Sequence, residues 1–244
     1  MNPQTLLKNL IQISKEQKKE YPLKVIFDLD STLFDVSPRI TKIIHLFAQQ
    51  KEIKQNYPEE SKALLNLQAH ESDYGVKKTL MRIGFQPPNV EFIRSLVDFW
   101  KKAFFSNTYL EFDKPYDGAP EFVSELHKAG AAIYYLTGRD VPRMLDGTIK
   151  SLKANGFPLN DDHSGLILKP TTEISDHDFK AEFFKSLDDK SGETWFFENE
   201  PKNIHLVEKI TPHIKIVFVA TVHSGKDPEP AGHIQRISGF RGSP

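Results

Sequence analysis

The sequence predicts an α/β fold, a doubly wound parallel sheet with an inserted all-α cap, and three observations carry that expectation. Five short apolar runs rich in valine, isoleucine and aromatics alternate with stretches of helical period across residues 24–220, the pattern of a parallel sheet covered on both faces. About a hundred residues separate the first run from the second, far more than one crossover needs. Inside that interval the apolar positions keep helical spacing, so the inserted material is helical.

In chain order, residues 1–23 read as a leader helix: Leu6, Leu7, Leu10, Ile11 and Ile13 form an apolar stripe broken by Lys8 and Asn9, unlike the continuous apolar centre of a signal peptide. The first strand runs from Lys24 to Leu29 and opens a core of residues 24–36. Residues 37–115 read as the cap, of about four helices, on the spacing of Ile40, Ile43, Ile44 and Phe47, then Leu64 and Leu67, then Val90, Ile93, Val97, Trp100 and Phe104. The core resumes over 116–222 with strands at Ala131 to Leu136, Gly165 to Leu168, Thr194 to Phe197 and Ile214 to Ala220. Crossover helices are expected at Glu121 to Lys128, Pro142 to Ala154, Phe179 to Leu187 and Pro201 to Ile210. Residues 223–244, rich in Gly, Pro and charge, are expected to be irregular. No internal repeat is present.

Composition narrows the function classes. The 244 residues are 39% hydrophobic, enough for a buried core. The formal charge of -1 provides no long-range field for a polyanion, which argues against bulk nucleic-acid binding. The absence of cysteine excludes disulfides, thiolate metal sites and a cysteine nucleophile. No apolar run approaches the roughly 20 residues of a membrane span, and a cytoplasmic location is the expectation. Oligomeric state is not legible.

The polar residues at the strand ends point to the chemistry. Asp28 and Asp30 end the first strand, Thr137-Gly138-Arg139 the second, Lys169 the third and Glu198-Asn199-Glu200 the fourth. In an open parallel sheet ligands bind at the carboxyl ends of the strands, so these groups are expected to share one crevice. Together they suit phosphoryl transfer, which needs a nucleophile, charge neutralisation and a proton source around a phosphoryl group. Asp28 can attack phosphorus to give an aspartyl-phosphate. Asp30, returned to the same side by the turn that follows, can act as general acid and then as base for water. Carboxylates so close together repel unless a hard cation joins them; Mg2+ suits the oxygen donors, with Glu198 completing the site. Thr137 and the backbone amide of Gly138 can hydrogen-bond phosphate oxygens, and a lysine, Lys169 or Lys180, can neutralise them.

With these motifs the chain resembles a haloacid dehalogenase superfamily phosphatase over roughly Lys24 to Ala220. The resemblance implies a Rossmann-like core with Asp28 as nucleophile, Asp30 as acid/base, Thr137 as the phosphate-binding hydroxyl, and a metal held by Asp28, the Asp30 backbone carbonyl and Glu198. It implies a C1-type cap, with Thr32 and Leu33 to Val36 as a mobile turn-and-hairpin beneath it. It also favours Lys180, at the start of its helix, over Lys169. The fourth motif departs from the commoner paired aspartates, leaving Glu198 and Glu200 both open as the ligand.

Plainer readings compete. A calcium loop counted from Asp28 would place Leu33 where Gly is needed and Arg39 where Glu is needed, so it fails. The nine histidines form no ligand pair of metal-site spacing. Arg39, just after the turn at Ser37-Pro38, is read as solvated ahead of reaching substrate from the cap base, and Trp100 as cap core ahead of a substrate platform. A dehalogenase has no use for Asp30, whereas a phosphotransferase or phosphomutase would keep every residue named and exclude water. A catalytically silent phosphate-binding module is the rival from another class. The expectation is a Mg2+-dependent phosphatase acting on a small phosphomonoester.

Overall fold

Strict two-residue alternation along the strands builds the core. The computed structural model describes residues 3–17, 21–159, 161–187 and 192–241. Six parallel strands form one sheet: β1 (Lys24–Phe27), β4 (Ala132–Asp140), β5 (Ser164–Lys169), β6 (Thr194–Glu198), β7 (Lys215–Val219) and β8 (Gln235–Ile237), in the spatial order β5-β4-β1-β6-β7-β8. Val25, Phe27, Ile133, Tyr135, Trp195, Phe197, Val217 and Val219 face one side, and Ile26, Leu136, Phe196, Ile216 and Phe218 the other. Both faces are apolar, so both must be covered. On the first face lie α1 (Pro3–Glu16), α7 (Ala119–Lys128) and α8 (Val141–Ala154); on the second lie α9 (Asp176–Ser186) and α10 (Pro201–Ile210). The leader helix thus packs through Leu6, Leu7, Leu10 and Ile11 into the core; residues 1, 2 and 18–20 of that stretch fall outside the described residues.

The chain moves outward from β1 to β4 and β5, then returns to place β6 on the other side of β1. The strand order therefore switches at β1, where a crevice opens at the carboxyl ends.

The insertion after β1 carries its own apolar cluster. A short strand, β2 (Phe34–Asp35), leads into α2 (Ser37–Ala48), α3 (Lys51–Asn56), α4 (Pro58–Leu65), α5 (Gly75–Arg82) and α6 (Val90–Phe104). A 3-10 helix at Asn107–Phe112 follows, and β3 (Lys114–Pro115) returns antiparallel to β2. Ile40, Ile43, Ile44, Phe47, Leu64, Leu80, Phe92 and Leu96 pack together apart from the sheet. The cap has five α-helices where the spacing suggested about four, because the proline at the start of α4 separates α3 from α4 within one apolar stretch.

The tail corrects a second expectation. It is irregular from Thr221 to Ile234, but β8 then adds to the sheet edge, and Ile237 and Phe240 are completely buried. Phe240 packs on Phe122 at 5.8 Å between ring centroids and on Phe197 at 6.2 Å. Gly118 (φ +80°) makes room for it, since a Cβ there would lie 2.6 Å from the Phe240 carbonyl oxygen. The core therefore runs past residue 222 to include β8.

Candidate active site

A tight turn after β1 sets the first two carboxylates. The Leu29 carbonyl accepts hydrogen bonds from the amides of Thr32, Leu33 and Phe34 at 2.9–3.1 Å, and Ser31 takes the left-handed conformation, φ 64°. A non-glycine residue held there costs roughly 1–3 kcal/mol and persists only where its surroundings impose it. The turn is tied to the rest of the crevice: Thr32 Oγ1 donates to Asn199 Oδ1 at 3.0 Å, and Asn199 Nδ2 donates to the Val222 carbonyl at 2.6 Å. Asp28 and Asp30 consequently line the same cavity despite their strand alternation.

Lys180, on α9, joins two of the predicted site residues. Its Nζ donates to Asp28 Oδ1 and to Glu198 Oε2, each at 2.6 Å, and all three side chains are buried. Glu198 is further held by the amides of Asn199 and Glu200 at 2.9 Å and by Asn203 Nδ2 at 3.0 Å. Glu200 instead turns to the tail, where its carboxylate accepts from the Ser224 amide and hydroxyl at 3.0 and 2.6 Å. Lys169 is likewise engaged elsewhere, pairing with Asp176 at 2.7 Å. Asp176 lies against the phosphate-loop candidate: a Cβ on Gly138 would meet its carboxylate at 2.4 Å, so a larger residue there would have to displace the Asp176 side chain. Thr137 is buried beside Gly138, its Oγ1 accepting from the Arg139 amide at 3.2 Å.

Three further residues complete the site: Arg139, which the sequence brought to the crevice without a role, and Arg39 and Asp113, which were not assigned to it. Arg39, read as solvated, is fully buried: its Nη2 donates to Asp30 Oδ1 at 3.0 Å, its Nη1 to the Phe104 carbonyl at 3.1 Å, and its Nε lies 2.9 Å from Asp113 Oδ1. Arg139 Nη2 reaches both Asp30 Oδ1, at 2.5 Å, and Asp113 Oδ2, at 2.9 Å. Burying a guanidinium is costly, and these carboxylates offset it. The signal available for Arg39 was its place in α2 beside the apolar positions Ile40 and Ile43; Asp113, at the end of the 3-10 helix, carried none.

The charges of the cluster do not balance. Four carboxylates, Asp28, Asp30, Asp113 and Glu198, face three cations, Arg39, Arg139 and Lys180. Burial pushes the Asp28 carboxyl up to about 7 against the pull of Lys180, with Glu198 and Asp30 adding to the rise. Burial would also raise Asp30, but Arg139 and Arg39 outweigh it and hold that carboxyl at about 2. Burial would lower Lys180, yet Asp28 and Glu198 raise it well above the ordinary lysine value.

More carboxyl groups than side-chain cations, an oxygen-only donor set and the approach of Asp28 and Glu198 to one point fit a hard divalent ion, which would also favour the ionised form of Asp28. Among the described residues no three His, Cys, Asp or Glu side chains form a ligand group on their own. An ion here would take Asp28 and Glu198 with non-side-chain oxygens, as Mg2+ commonly does with water and substrate phosphate.

A family model described as haloacid dehalogenase-like hydrolase matches residues 25–204. Among solved structures, protein tyrosine kinase A of Mycobacterium tuberculosis superposes with a TM-score of 0.55 at 18% identity, covering 89% of this chain and 94% of that one. A candidate phosphatase from Clostridium difficile gives 0.50 at 17%, covering 86% and 90%. A haloacid dehalogenase superfamily hydrolase of subfamily IA from Geobacter sulfurreducens gives 0.50 at 14%, covering 90% and 93%. These likenesses concern the fold. No curated protein sequence matches.

Proposed function

The chain belongs to the haloacid dehalogenase-like hydrolases, and from that premise we propose that it is a Mg2+-dependent phosphatase hydrolysing a small phosphomonoester through an aspartyl-phosphate on Asp28. The observation that carries this reading is the buried trio in which Lys180 Nζ lies 2.6 Å from both Asp28 and Glu198 at the carboxyl end of the switch-point strand. Within the same reading residues 37–115 act as the cap over the site.

Asp28 supplies the attacking oxygen, held in place by Lys180, whose positive charge faces the incoming phosphoryl group. Thr137 and the Gly138 amide receive the phosphoryl oxygens in this reading, which their position in the cavity lining supports. Bound by Asp28, the Asp30 carbonyl and Glu198, Mg2+ would supply neutralising charge for the phosphoryl oxygens and hold the ester in line. Asp30 is ionised by its two arginines, ready to take a proton from the water that attacks the phosphoenzyme. For the first step Asp30 must enter protonated: it takes a proton from solvent as the bound ester's negative charge, lying beside Arg139 at the cavity wall, weakens that arginine's hold on it, and it then passes the proton to the leaving oxygen.

The test is phosphate release from a phosphomonoester with Mg2+ and with the ion removed by chelation. Turnover that depends on Mg2+ supports the reading; equal rates in both conditions would contradict it.

A further inference from the structure

Between cap and core lies a cavity of about 470 Å³, within the range of small-molecule sites. Its floor is the carboxylate and phosphate machinery described above, while Tyr74, Trp100, Phe104 and Phe105 line it from the cap side, with Ile40 beside them. The Trp100 and Phe104 rings are 4.6 Å apart, and Phe105 stands edge-on to Phe104 at 5.2 Å. Behind the wall, the Arg39 guanidinium stacks on Phe104 at 3.8 Å, so the aromatic column is anchored to the group that holds Asp30. Tyr74 is 48% exposed at the mouth of the cavity, where burial and the nearby carboxylates hold its hydroxyl in the protonated, donor form. Trp100, expected to be cap core, does pack on the cap cluster but also presents its ring to the cavity. Among the described cap residues lining the cavity, the one charged side chain is Asp73, and Arg82 holds it at 2.8 Å.

We infer that this cleft takes phosphomonoesters whose alcohol carries a planar aromatic ring, the ring packing against Trp100, Phe104 and Phe105 while the phosphate meets Asp28. The inference rests on the phosphatase reading of the site. A hydroxyl-rich sugar or polyol seated against the aromatic cap-side wall would lose water there and recover few hydrogen bonds from it, which is unfavourable. A flat ring removes apolar area from water and gains the edge-to-face and offset contacts that aromatic side chains favour. Lys202 and Lys226 also line the cavity, from the core and the tail, so the apolar preference belongs to its cap-side wall.

The test compares 2-phenylethyl, 2-cyclohexylethyl and glycerol phosphates, whose leaving alcohols have similar reactivity, so differences report binding in the transition state. The expected order is phenylethyl first, with kcat/KM exceeding that of the cyclohexyl ester by roughly three- to tenfold and that of glycerol phosphate by more. Trp100→Leu should collapse the first ratio toward one, mainly through KM. Trp100→Phe should keep most of it, because the indole N–H is buried without a hydrogen-bond partner and its loss breaks no bond. Equal kcat/KM for all three esters, or a ratio unchanged in a folded Trp100→Leu, would overturn the inference.

If no ester is hydrolysed, the phosphatase reading fails while binding still decides the inference. The probe is 3-phenylpropylphosphonate, the non-hydrolysable isostere, followed by tryptophan fluorescence. Quenching that disappears in Trp100→Phe supports the aromatic site, and no binding overturns it.

Discussion

Glu198 and Glu200 stand two residues apart and face different partners, Glu198 toward Lys180 in the buried trio and Glu200 toward Ser224 in the tail. The sequence left both open because a strand end does not reveal where a backbone turns. Glu198→Gln is therefore expected to raise the Mg2+ concentration for half-maximal activity at least about tenfold, with Glu200→Gln close to wild type in a Mg2+ titration of turnover. That Asp28, Asp30 and Thr137 share one crevice was legible, because their motifs are local runs at predicted strand ends. Asp113 was not, since its partners Arg39 and Arg139 are distant in sequence and only folding joins them. Burial raises the Asp113 carboxyl to about 6, opposed by Arg39 and Arg139. A folded pKa above the unfolded one means the folded state holds the proton more tightly. The associated stability is complete below about pH 4 and is lost as pH rises through about 6. Urea denaturation should show wild type losing up to about 3 kcal/mol relative to Asp113→Asn across that window. A gain over the same window would contradict this account of the cluster.

The five sheet strands read from the sequence recur within a few residues of their expected ends, because their β-branched and aromatic runs are long enough to mark period two. β4 is longer than expected, reaching Asp140. Its last residues are polar and give no apolar signal, yet Thr137 and Asp140 still register against Leu168 and Lys169 of β5. β8 was missed for a related reason: Ile237 and Phe240 are isolated apolar residues in a polar, glycine-containing tail, and their burial comes from a gap on the sheet that only the folded chain presents. Phe240→Ala should therefore cost about 3–5 kcal/mol, as for other fully buried phenylalanines. Urea denaturation followed by circular dichroism checks this; a change under about 1 kcal/mol would mean the tail does not contribute to the core.

At the scale of the whole molecule, one insertion placed at one strand end determines the division of labour. The sheet brings Asp28, Thr137 and Glu198 to the switch point, and the insertion returns to the core at Asp113, beside the arginines that hold Asp30. The cap's position was legible from the long gap between the first two strands, whereas its inward-facing aromatic wall was not, since spacing alone assigns Trp100 and Phe104 to an apolar stripe without saying which side of it faces the cleft. The central claim is that Asp28 takes the phosphoryl group. It is tested most directly by acid-quenching the enzyme during turnover of a phosphomonoester with Mg2+ and mapping phosphorylated peptides by mass spectrometry. The account predicts a phosphoryl group on Asp28, with turnover lowered at least about a thousandfold in Asp28→Asn. Undiminished turnover in Asp28→Asn, with no phosphoryl group on the wild-type Asp28 peptide, would contradict it.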